Sequence, residues 1–253
     1  YAAALAREVA KLVSAEIDAS AGTAAAAALA KDGHDAIAVA TDVADAASVA
    51  GMAARAVEAF GRIDILVNNA AIFATVPMSR APFDEIDPGE WDRMMTVNLK
   101  SVLYGIQAVL PHFRERKRGH IIAVSSGLSR FPFAPQRSAY SASKAAVNLL
   151  MASLRVELRD ELPDVHTTTV LPGVVATEFG VNALHGGVDN RRLPSAQPVE
   201  EVAGVIADAI ENPVAEVYTR PQMRELAARY FAAEDVSAIR SEERRVGKKC
   251  RSR

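Results

Sequence analysis

The run His120-Ile121-Ile122-Ala123-Val124-Ser125-Ser126 decides the fold class. It is an apolar block of strand length, and it ends in two hydroxyl residues. A helical pattern follows over residues 138–162, closed by Pro163, and a second strand pattern over residues 165–171 ends at Pro172-Gly173. Strand, long helix, strand is the signature of a parallel pair with a helical crossover.

The same alternation extends to both sides. Residues 11–16 and 35–40 read as strands, followed by helices near 19–31 and 46–60. Residues 63–68 form a short buried strand bounded by Gly61 and Asn68-Asn69. A long helix is expected over residues 88–116, with Pro111 bending or ending it. Beyond a loop-rich region at 174–197, residues 198–211 read as helix, 215–219 as strand and 221–232 as a last helix. The expected fold is α/β: a Rossmann-like, doubly wound parallel sheet with helices on both faces. No internal repeat or linker divides it, so residues 1–239 read as one domain. In such sheets function lies at the carboxyl ends of the strands.

Tyr140-Ser141-Ala142-Ser143-Lys144 opens a helix, and positions four apart share a helix face. An ammonium beside a phenol favours the phenolate, which gives a proton donor and acceptor usable near neutral pH. Ser126 ends one strand, Asn68-Asn69-Ala70-Ala71 ends another, and Pro172-Gly173-Val174-Val175-Ala176-Thr177 ends a third. Asn98 lies in the middle of a helix, a costly place for an amide without a partner.

At these residues the chain resembles the short-chain dehydrogenase/reductase family, from about Ala3 to about Ala233. The resemblance implies an oxidoreductase that moves a hydride between a nicotinamide cofactor and a carbonyl or alcohol substrate. It implies Tyr140 as general acid/base, Lys144 as its supporting cation and a nicotinamide-ribose ligand, Ser126 as the group on the substrate oxygen, and Asn98 in a proton relay. Ser125 is a second candidate for the serine, because the interval from Ser126 to Tyr140 is one longer than the family commonly shows. Asp42 and Val43 match the adenine-contacting pair, and Asn69 and Ala70 the cleft segment, with Ala71 where the family has Gly. Pro172, Gly173, Val175 and Thr177 match the segment at the nicotinamide. No metal is implied, and a homodimer or homotetramer in the cytoplasm is. Glu16, at the end of its strand and with no Arg in residues 17–22, can accept from both adenosine ribose hydroxyls and repel a 2′-phosphate, which favours NAD over NADP. The family's Gly-rich loop and first strand would precede Tyr1, so the first strand is expected to be missing from this chain. The alternative is a non-catalytic Rossmann-like scaffold, or an inactive fragment that no longer binds cofactor.

Composition limits the other classes. Half of the 253 residues are hydrophobic, enough for a large core, and no apolar run is long enough to span a membrane as a helix. From Arg240 onward five Arg and two Lys stand against two Glu, a net +5, which leaves the preceding body at −7 within the overall −2. An acidic body argues against nucleic acid as a partner. The tail 240–253 reads as a disordered basic segment, and its string resembles a translated sequencing adapter. A basic arm is the other reading. The one cysteine, Cys250, lies in it, and the five histidines are scattered, so no metal-ligand spacing occurs.

Overall fold

A computed structural model describes residues 2–7, 11–73, 82–131, 137–181 and 187–237. Two parallel sheets are present among them. The first pairs β1 (Leu12–Glu16) with β2 (Ala36–Ala40), Glu16 lying opposite Ala40. The second orders β3 (Ile65–Asn68), β4 (Gly119–Val124), β5 (Val165–Leu171) and β6 (Glu216–Tyr218) side by side. No ladder joins the two sheets among the described residues.

Every residue of β4 is buried, as a parallel strand covered on both faces requires. Its successive side chains serve two cores, because strand side chains alternate between faces. Ile121 and Ala123 pack with Val102, Ile106 and Phe113 of α5 (Ser101–Arg116) and with Val147 and Met151 of α6 (Ser138–Leu158). Ile122 and Val124 pack with Val170 of β5 and with Ile206 of α7 (Val199–Glu211) on the other side. This is the doubly wound arrangement that the alternation of patterns implies.

Helix ends follow capping chemistry. Asp18 caps α2 (Ala19–Lys31) by accepting from the N–H groups of Ser20 and Ala21, and Asp45 caps α3 (Ala46–Phe60) by accepting from Ala47 N–H. The long helix expected over 88–116 is interrupted, but not by Pro111. Helix α4 (Pro88–Met95) passes through a π turn, Thr96–Lys100, into α5, and Pro111 lies inside α5, which runs on to Arg116. Asn98 sits in the π turn, fully buried, and the widened turn marks where a side chain is needed inward. The first helix, α1 (Ala2–Arg7), and the last, α8 (Pro221–Ala232), complete the order. The described residues of the loop-rich stretch after β5 hold two short 3₁₀ turns, Glu178–Gly180 and Asn190–Arg192, and a parallel bridge between Val175 and Gln197. Within that stretch Asn182, Leu184, His185 and Gly186 lie outside the described residues, as do Phe133 after β4 and the tail with Cys250.

Candidate active site

Four of the sequence candidates are gathered by β4, the π turn and the first turns of α6. Asn98 Oδ1 accepts from Ile72 N–H at 2.7 Å, while Asn98 Nδ2 donates to Ile72 O at 3.0 Å and to Ser143 Oγ at 3.1 Å. The Ser143 hydroxyl donates in turn to the Tyr140 carbonyl at 2.8 Å. One buried amide therefore ties the segment after β3 to the helical turn that carries Tyr140. The neighbouring residue, Phe73, meets the Tyr140 ring edge-on with centroids 4.7 Å apart. Phe179, from the loop after β5, closes a three-ring cluster at 5.6 Å from Phe73 and 6.4 Å from Tyr140. The Arg137 guanidinium lies over the Phe73 ring, 4.6 Å from its centroid.

Lys144 is 3% exposed, and its ammonium donates to the Val124 carbonyl at 2.9 Å. Burial lowers its pKa from 10.5 to about 8. The two serines of β4's end have separate tasks. Ser125 Oγ donates to the Lys144 carbonyl at 3.0 Å, which commits it to anchoring α6. Ser126 Oγ accepts from Leu128 N–H at 3.2 Å, which leaves its own proton for another acceptor. The Gly127 N–H donates to the Pro172 carbonyl at 2.9 Å, joining the ends of β4 and β5.

The segment after β5 is braced from behind. Thr177 Oγ1 accepts from Phe179 N–H at 3.3 Å. The Ala176 N–H donates to Gln197 O, and the Gln197 N–H donates to Val174 O, both at 2.8 Å. The buried Gln197 amide donates to Thr219 O at 3.0 Å and accepts from the Thr219 hydroxyl at 2.6 Å. Pro172, Gly173, Val175 and Thr177 are thus held against the end of β6 as well as β5.

The remaining candidates lie at other strand ends. Asn69 and Ala70 are exposed just past β3. Glu16 ends β1, and its Oε1 accepts from Asp18 N–H at 3.2 Å. Asp42 closes the turn after β2, accepting from Ala44 N–H at 2.9 Å, with Val43 half-buried beside it. No hydrogen bond among the described residues ties Glu16, Asp42 or Val43 to the Tyr140–Lys144 cluster. Ser143, Phe73 and Gln197 are among the members of the site not singled out by sequence. Ser143 lies inside the Tyr140–Lys144 pentapeptide, three residues after the tyrosine, and its helical spacing is the only signal.

The family model for short chain dehydrogenases matches residues 1–186. An uncharacterised oxidoreductase of Staphylococcus saprophyticus is 38% identical over 150 residues, 59% of this chain and 58% of that protein. Dehydrogenase/reductase SDR family member 7B of Rattus norvegicus is 36% identical over 185 residues, 70% of this chain and 54% of that protein. The chain thus spans little more than half the length of either relative. Among solved structures, a short chain dehydrogenase/reductase from Burkholderia phymatum in complex with NAD superposes with a TM-score of 0.76 at 25% identity, covering 86% of this chain and 83% of the other. A gluconate 5-dehydrogenase from Burkholderia cenocepacia in complex with NADP and tartrate gives 0.75 at 27% identity, covering 88% and 89%.

Proposed function

As the chain belongs to the short-chain dehydrogenase family, we propose that it is an NAD-dependent oxidoreductase acting on a carbonyl or alcohol, with Tyr140 as general acid/base. The observation that carries this reading is the buried Lys144 ammonium, one helical turn beyond Tyr140 and fixed by the carbonyl of Val124 on the strand that leads into Ser126.

The residues fit a nicotinamide dinucleotide. The Lys144 ammonium has three protons and one acceptor among the described residues, so it can donate to ribose hydroxyls. Glu16 has a second carboxylate oxygen for the adenosine ribose, and its charge disfavours a 2′-phosphate. The bound cofactor would supply the hydride or accept it. Tyr140 gives its phenolic proton to the carbonyl oxygen in reduction, or takes one from the alcohol in oxidation. Ser126 donates to the same oxygen and stabilises the charge that develops there. Lys144 lowers the cost of the phenolate. Asn98 and Ser143 hold the tyrosine's helical turn against the Ile72–Phe73 segment, so the phenol is positioned before substrate arrives. A self-associating oligomer and a cytoplasmic location belong to the same reading.

The test is kinetic and by titration. Tyr140→Phe should lower turnover by about 10²–10⁴-fold with cofactor affinity nearly intact. Near-normal turnover would remove the mechanism. NADH should bind more tightly than NADPH, and Glu16→Ala should narrow that difference. Tighter NADPH binding by the parent chain would overturn the role of Glu16.

A further inference from the structure

Far from the carboxyl ends of the strands, a groove of about 320 Å³ opens at the amino end of β5. Its walls include Arg155 and Arg159 from the end of α6, Val165, His166 and Thr167 from β5, and Val214 from the connection into β6. β6 pairs with β5 only from Thr169 onward, so the first residues of β5 form an uncovered edge here. No Asp or Glu lines the groove, although the body of the chain is acidic.

The charge balance in this groove is unusual. The Arg155 side chain is half-buried and makes one hydrogen bond, from Nη2 to the Ala215 carbonyl at 2.9 Å, with no ion pair among the described residues. A partly desolvated cation without a counter-charge is costly. Arg155 Nε and Thr167 Oγ1 are also buried without partners. Among the described residues Arg159 pairs only with its exposed neighbour Asp160, at 3.2 Å, an interaction worth little in water. His166 adds an exposed imidazole whose ring meets that of His120 edge-on at 5.9 Å.

We infer that this groove is a second binding site, for a small multivalent oxyanion of the phosphate or polycarboxylate kind, held by Arg155 and Arg159 with His166 at the rim. Such an anion neutralises the Arg155 guanidinium, draws Arg159 from a weak surface pair, and offers acceptors to the donors around it. Helical geometry supports joint action: Arg155 and Arg159 are four residues apart and share one face of the end of α6. The backbone carbonyls at that helix end favour the two cations in the free chain, so the site is charged before the ligand arrives.

The experiment is a titration of the 253-residue chain with inorganic phosphate and, separately, with citrate, followed by amide and guanidinium nuclear magnetic resonance. The expected result is saturable shifts at Thr167, His166 and the Arg155 side chain with at least one anion, and the tighter anion names the class. Arg159→Gln leaves the Arg155–Ala215 bond in place and should weaken binding about tenfold. Arg155→Gln should abolish the shifts, with circular dichroism reporting that the fold persists. Shifts confined to residues outside the groove, no saturation with either anion, or equal affinity in Arg159→Gln would each overturn the site.

Discussion

Lys144 is a cation removed from water and held by one carbonyl, and this sets a pH dependence that can be measured. Burial lowers its pKa from 10.5 to about 8, so the folded chain releases this proton at lower pH than the unfolded chain does. Between those values the unfolded state binds more protons, and stability from this group must rise with pH. The contribution is complete above pH 10.5 and lost as pH falls through 8. Denaturant unfolding of the parent chain and of Lys144→Met across that window should show the difference moving toward the parent, by at most about 1.4 kcal/mol per pH unit. A flat difference would mean that the ammonium is solvated or otherwise compensated. Tyr140 and Lys144 are legible in sequence because one helical turn separates them, and the spacing alone puts them on one face. The division of labour between Ser125 and Ser126 is not legible. Both are strand-end hydroxyls, and only the position of the Lys144 carbonyl shows that Ser125 is engaged.

Elements meet closely where α5 crosses β3. A Cβ added at Gly105 would fall 2.4 Å from Asn68 Oδ1 and 3.2 Å from Leu66 Cδ2, so glycine lets the helix approach the strand that ends in the cleft. Gly105→Ala should therefore destabilise the fold by about 1–3 kcal/mol. Gly51 is the control. It lies in α3, exposed, with nothing within 4 Å of an added Cβ, and Gly51→Ala should stabilise by about 0.5–1 kcal/mol. Thermal unfolding of both variants checks the pair, and a neutral Gly105→Ala would show that Asn68 yields freely. The bounds of α2, α3, β5 and α8 are readable mainly from their ends: Asp18 and Asp45 cap the first two, Gly61 stops α3, Pro172-Gly173 follows β5 and Pro221 opens α8. The π turn is not, because its cause is tertiary: Asn98 is drawn inward by the Ile72 backbone, 26 residues away in sequence. The partners of Arg114 and Arg116 at the end of α5 are likewise tertiary: Arg116 donates to the Ile63 carbonyl and to Asp64 at 2.7 Å each, and Arg114 pairs with Glu161, while Lys117 and Arg118 are exposed.

At the scale of the whole molecule, the open question is which surface a second copy would cover. The family resemblance implies contacts through the two long helices, where Met94, Val102, Leu150 and Leu154 supply apolar surface either to a second copy or within the chain; the structure places the first, second and fourth in the core and packs Leu150 against it. A helical period locates an apolar stripe without telling an inner stripe from an outer one. The outer stripe of α6 is carried by Leu149 and Val156, 70% and 64% exposed and seven residues apart, with Leu103 of α5 also exposed. Two large aliphatic side chains two turns apart on one helix face are poorly placed in water, and an isologous contact between two such faces would bury both sets at once. The acidic body opposes association of like-charged copies, so the apolar contact must carry the energy. Light scattering of the chain at micromolar concentration should report a dimer or tetramer. Leu149→Glu with Val156→Glu puts carboxylates into the contact without touching the core, and should shift the population to monomer while circular dichroism stays unchanged. A parent chain that is already monomeric, or a double variant that still associates, would show that this face is left to solvent.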